Sequence, residues 1–185
     1  AFGAQPGDRL SMWEKLKEHG RPAAGRPAEV VAASAVEALS SQGGRGRVEG
    51  TWRVTGTFSD GSTESALFTF GAGKDANGGT LIHSDSFFLV AAPSCLTAQG
   101  VWKRSEERGI IATDEAFCFD SNNAFAPAGS VRFRTAITLG NGGSEFNGTT
   151  HIDGIDVEGT VVFSADFLLH GVRMLAEGPP PPSGQ

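Results

Sequence analysis

The sequence predicts an all-β protein: an eight-stranded antiparallel up-and-down barrel over residues 48–176, with an N-terminal helical arm and linker (1–47) and a Pro-rich tail (177–185). Three observations lead there. From Val48 to Leu175 apolar and polar residues alternate with a period of two, the pattern of strands with one buried face. Asp60-Gly61, Asn77-Gly78-Gly79 and Asn141-Gly142-Gly143 punctuate the alternation with residues that tolerate the positive φ of hairpin turns. No helical run long enough for a parallel crossover intervenes, so neighbours pair antiparallel, and closing the meander leaves no exposed edge.

In chain order, residues 7–19 (GDRLSMWEKLKEH) form the first expected helix. Asp8 is its N-cap, Leu10, Trp13 and Leu16 share a face, and Gly20 stops it. GRPAAGRP is a linker to a second, Ala-rich helix over 28–39, with Val31, Ala35 and Leu39 in one stripe, ended by SSQGGRGR. The strands are expected at 50–59, 63–71, 79–90, 97–104, 109–119, 129–139, 144–153 and 158–173. EGPPPPSGQ then reads as an extended polyproline tail.

Alternation assigns the barrel interior. Trp52, Val54, Gly56 and Phe58 share one face, followed by Ala66, Phe68 and Phe70, then Trp102 with Ile111, Thr113, Phe117 and Phe119. Val131, Phe133, Ile137, Leu139, Phe146 and Ile152 continue the set, and Val161, Phe163, Phe167 and Leu169 complete it. The interior of such a barrel is filled by side chains or holds one small ligand. Phe68, Phe70, Trp102, Phe117, Phe133 and Phe163 are the candidate ligand-lining residues. The same parity turns Glu115 inward, and Arg104, on the Trp102 face, reaches it only if the strand register allows. An unpaired carboxyl in apolar surroundings has a raised pKa, which makes Glu115 the candidate catalytic acid.

TAQGVWKRSEERGIIATDEAFCFD reads as a hairpin turning at 105–108. Pairing Arg104 with Gly109 and stepping outwards sets Cys95 opposite Cys118, close enough for a disulfide. Such a bridge belongs to an oxidising compartment. The first residues, AFGAQPG, carry no initiator Met, and export after removal of a signal peptide is expected.

Composition excludes several classes. A formal charge of −6 lacks the basic face that phosphate contacts need, so no nucleic-acid partner is expected. No apolar run reaches the ~20 residues of a membrane-spanning helix. No Gly-rich loop opens a helix, and no cofactor is expected. His83-Ser84-Asp85 and His151-Ile152-Asp153 each put His and Asp on one strand face, but both pairs are expected to face solvent and to hold no metal.

Gly50-Thr51-Trp52, opening the first strand of an eight-stranded meander, with Arg173 at the end of the last, resembles the calycin group, the lipocalins and their relatives. That resemblance implies a Trp plugging the closed end of the barrel and a basic side chain packed across its indole. Here these are Trp52 and Arg173, with Gly50 as the motif glycine. It also implies an exported, periplasmic or extracellular, non-enzymatic bacterial protein binding a small apolar molecule inside. Two other readings remain: an accessory subunit whose arm and tail bind partner chains, and a cofactor-free cyclase or isomerase shaping an apolar substrate around Glu115.

Overall fold

The computed structural model describes residues 47–74, 77–86, 94–105, 109–120 and 126–175. The helices expected over 7–19 and 28–39 and the polyproline tail lie outside them. Strands form at β1 (Gly50–Thr57), β2 (Thr63–Ala72), β3 (Gly78–Asp85), β4 (Ser94–Cys95), β5 (Ala98–Arg104), β6 (Ile110–Phe119), β7 (Pro127–Gly140), β8 (Glu145–Ile155) and β9 (Val161–Arg173). Every pairing is antiparallel, β1 with β2 and β9, β3 with β2 and β5, β6 with β5 and β7, β8 with β7 and β9. Eight strands thus close into an up-and-down barrel, and the two-residue β4 extends the wall beside β6.

The connections sort to two poles. At one lie the entry to β1, the β5–β6 hairpin, the exit from β9 and the β7–β8 turn, where Asn141 (φ 49), Gly142 and Gly143 adopt the left-handed conformation expected of them. The Asp60-Gly61 turn, the β6–β7 connection and the β8–β9 turn mark the opposite pole.

The first pole is closed by an aromatic plug. Trp52 is wholly buried, donates its indole N–H to the Val48 carbonyl (2.8 Å) and packs on Phe146, ring centroids 5.1 Å apart. The Arg173 guanidinium lies 4.2 Å from the Trp52 ring centroid, a cation–π contact. It also donates to the carbonyls of Gly143 (2.9 Å), Glu49 (2.6 Å) and Arg47. One side chain therefore ties the start of the barrel, its last strand and the β7–β8 turn together. Gly50 is required by this arrangement: its φ is +127°, and a Cβ there would stand 2.8 Å from Arg173 Nη1.

Two apolar clusters lie in the described interior, one towards either pole. Trp52, Phe68, Phe70, Leu81, Trp102, Ile110, Phe146 and Leu169 belong to the plugged side. Ala98, Ala116, Val131, Phe133, Phe163 and Phe167 belong to the other, with Phe58 packed against them. The Cys95–Cys118 disulfide borders this second cluster.

One wall departs from the expected register. Arg104 pairs with Ile110 rather than Gly109, because the hairpin tip takes one residue more, closed by Ser105 N–H on the Gly109 carbonyl (2.9 Å). A one-residue slip turns a whole strand inside out. Trp102 accordingly faces Ala112, while Ile110, Ala112, Asp114, Ala116 and Cys118 point inward. Ile111 and Phe117, expected inside, lie on the outer surface, Phe117 63% exposed, and Thr113 follows them. The cysteines still meet, because the β4–β5 side uses four steps from Cys95 to Gln99 where β6 uses three from Cys118 to Glu115. The extra residue is accommodated at Leu96-Thr97. Val161, at the start of β9, is also exposed rather than inward.

Candidate functional site

The interior is not purely apolar. Between the two clusters, β2, β3 and β6 turn Glu64, His83, Asp85 and Asp114 inward. Parity fixes each: Glu64 lies on the face of Ala66 and Phe68, His83 and Asp85 on the face of Leu81, and Asp114 on the face of Ala112 and Ala116. Cross-strand pairing brings them level, with Phe68 opposite His83, Ala66 opposite Asp85 and Gly100 opposite Asp114. Gly100 leaves the space for Asp114, whose Cβ would be 2.6 Å from a Cβ at that position.

His83 is the centre of the group. Its Nδ1–H donates to Asp114 Oδ2 at 3.0 Å, and Nε2 lies 3.5 Å from Asp85 Oδ2. Phe68 and Phe133 flank the imidazole, at centroid distances of 4.4 and 4.7 Å. Burial by itself would depress the His83 pKa, but hydrogen bonds to Asp114 and Asp85 together with their charges outweigh it and raise it to about 9. Burial first, then the charge of Asp85 and a hydrogen bond to it, push the Glu64 carboxyl up to about 8, with the His83 charge opposing. Both shifts favour the protonated forms of His83 and Glu64 at neutral pH. Asp114 Oδ1 is buried and has no hydrogen-bond partner among the described residues.

The outer wall carries a second polar network, over β6 to β9. Arg134 meets Asp153 (2.5 Å), His151 bridges Asp153 (3.1 Å) and Asp166 (2.8 Å), and Ser164 donates to Asp153 (2.6 Å). Burial alone would raise the Asp153 pKa, but Ser164, Arg134 and His151 hold it below the usual carboxylate range. Beside it Glu115 accepts from Ser130 (2.6 Å) and pairs with Arg132 (3.1 Å).

The expected site residues divide accordingly. Phe68, Phe70, Trp102, Phe133 and Phe163 line the interior; Phe117 does not, for the register reason given above. Glu115 is on the outer wall in an ion pair, so its inward placement is corrected by the same slip. His83-Ser84-Asp85 was expected to face solvent and instead faces the core, whereas His151-Ile152-Asp153 does lie outside, Asp153 itself being nearly covered. Gly50, Trp52 and Arg173 meet at the plugged pole. Glu64 and Asp114 were missed altogether. Glu64 was legible, sharing its strand face with Ala66, Phe68 and Phe70; Asp114 was hidden by the register of β6.

Among the described residues no three His, Cys, Asp or Glu side chains converge as a metal site. No helix among them is long and apolar enough to cross a membrane. No protein-family model matches the chain, and no curated protein or solved structure matches it either.

Proposed function

We propose that this calycin-like barrel is an exported, non-enzymatic binding protein that takes a small, mainly apolar molecule into its interior. The observation that carries the reading is the placement of Glu64, His83, Asp85 and Asp114 amid aromatic rings. Burying such groups is costly, and a barrel needing only a stable core does better with apolar side chains. A few convergent polar groups in an apolar enclosure are what a ligand site uses to fix orientation. The disulfide supports the exported setting.

The test is a titration with Nile red, a neutral apolar dye, together with mass spectrometry of a solvent extract of the purified protein. Saturable one-to-one binding that a co-purifying molecule displaces supports the reading. Absence of both saturable dye binding and any extractable molecule refutes it. A specific observation also favours a second reading, a cofactor-free isomerase. Glu64, kept protonated near neutral pH and joined to Asp85 and His83, is a general acid beside a base. Turnover of an extracted molecule that is lost in Glu64→Gln selects this reading over simple carriage.

A further inference from the structure

We infer that residues 28–39 (AEVVAASAVEAL) dock, as an acidic and apolar segment, into a groove on the outer face of β1 and β9, whatever the barrel holds inside. The groove, about 330 Å³, is lined by Arg53, Thr55, His170, Val172, Met174 and Leu175 together with Arg173. Register accounts for its lining: Arg53 stands opposite Val172 and Thr55 opposite His170, and outward parity exposes all four. Val172, Met174 and Leu175 are 45, 43 and 80% exposed, and Leu67, opposite Arg53 on β2, adds a fourth uncovered apolar side chain. No acidic side chain lines the groove, and the same-face neighbours of Arg53, which are Thr51, Thr55, Leu67 and Val172, carry no carboxylate. The Arg173 charge is shared with Glu49, so Arg53 is the cation that an acidic partner meets.

Chain position and charge choose the occupant. Arg173, which lines the groove, donates to the Arg47 carbonyl, so the chain that precedes Arg47 starts beside it. Residues 40–46 contain three glycines and span up to about 24 Å when extended, enough for 28–39 to fold back over β1 and β9. Segment 28–39 carries Glu29 and Glu37 and no Lys or Arg. Its expected stripe of Val31, Ala35 and Leu39 needs a cover, because a helix this short is marginal until it buries a face. The competing pieces of chain fit less well. Residues 7–19 balance Asp8, Glu14 and Glu18 with Arg9, Lys15 and Lys17, and the tail beyond Leu175 offers Ala176 and prolines but no bulky apolar side chain. Val31 and Leu39 therefore meet Val172, Met174 and Leu175, while a glutamate meets Arg53. An exposed ion pair of that kind sets orientation more than affinity, and the short link supplies an effective concentration of about 1 mM.

Hydrogen–deuterium exchange of the full-length protein, read by mass spectrometry, tests the docking, with a synthetic peptide of residues 28–39 as the unprotected reference. At an effective concentration of about 1 mM, a contact of only about 0.1 mM affinity slows exchange over 28–39 by about tenfold. Arg53→Glu and, separately, Leu175→Asp should each bring that rate back to within about threefold of the peptide. Both replace exposed side chains, and the protection of β1 and β9 in the same spectra verifies that the barrel stays folded. Adding Glu29→Lys and Glu37→Lys to Arg53→Glu should restore the slow exchange, which a change in barrel stability alone does not do. Exchange of 28–39 at the peptide rate in the wild type overturns the inference. Protection that survives both single variants also overturns it, by placing the segment elsewhere. So does protection that is lost on dilution together with a dimeric mass by light scattering, which assigns the groove to a second copy of the chain.

Discussion

Replacing Arg173 by Ala removes a contact that holds three parts of the barrel together, and its cost can be worked out from the geometry. The guanidinium stacks on Trp52 at 4.2 Å, worth about 1 kcal/mol at a half-buried site. It also donates to three carbonyls, those of Arg47, Glu49 and Gly143. Arg47 is exposed, so water replaces that bond at little cost. The bonds to Glu49 and Gly143 involve a charged donor and covered acceptors, about 1.5 kcal/mol each. The sum is roughly 4 kcal/mol. An unfolding entropy of about 0.27 kcal/mol/K, expected for a barrel of this length, turns that into a fall of about 15 °C in Tm. Arg173→Lys keeps a cation over the indole, but one ammonium lacks the planar fork that reaches separate carbonyls, so about half the loss remains. Thermal melts followed by circular dichroism at fixed pH and salt read both values. A Tm for Arg173→Ala within about 3 °C of wild type would refute the idea that this side chain clasps the pole.

Other expectations follow from the interior. His83 and Glu64 both have folded pKa values above their ordinary ones, at about 9 and about 8. Groups raised on folding bind more protons in the native state, so their stabilisation is complete below the unfolded pKa values and is lost as pH rises through the folded ones. Facing Asp85 and Asp114, they should make Tm fall between about pH 5 and pH 9, and Glu64→Gln should flatten the lower part of that fall. Phe133→Ala, in the core, should cost about 3–5 kcal/mol, whereas Phe117→Ser, on the outer surface, should cost under about 1 kcal/mol; the reverse order would contradict the register of β6. Free-thiol titration of the unreduced, denatured protein should find none, and Cys95→Ser with Cys118→Ser should lose about 3 kcal/mol of stability.

How far the sequence could be read differs from strand to strand. In β1 and β7 one parity class is mainly aromatic or aliphatic and the other mainly Arg, Thr, Ser and Ala, and in β2 Ala66, Phe68 and Phe70 outweigh Leu67, so the inward face was readable. In β6 both classes are apolar: Ile110, Ala112 and Ala116 compete with Ile111, Phe117 and Phe119. The bulkier set attracted the assignment, yet the smaller set is inside because Trp102 and Phe133 already occupy the neighbouring space. Turn length decided the matter, and nothing in SEER specifies whether the loop takes four residues or five. The same ambiguity, Leu81 against Ile82, concealed the direction of His83. The polar group of the interior is thus the part least visible to alternation, since burying Asp and His breaks the rule that alternation relies on. The disulfide was placed correctly because the longer hairpin tip and the extra residue at Leu96-Thr97 offset each other.

The clasp at Arg173 also gives the molecule a polarity. Arg173 Nη2 reaches the Arg47 carbonyl, and the Met174 N–H donates to the Thr51 carbonyl at 2.8 Å, so the chain enters and leaves the barrel side by side. Residues 1–46 and 176–185 therefore join the barrel at its plugged pole, beside Trp52. Anything fastened to the barrel through either piece of chain is a tether at its base. The opposite rim, where β1 gives way to β2 and the disulfide braces the wall, is left facing away from the anchor. Adjacent ends also make the barrel a natural candidate for circular permutation: a short link from 175 to 47, with new termini opened at Asp60-Gly61, would move the tether to the far rim and keep every strand pairing.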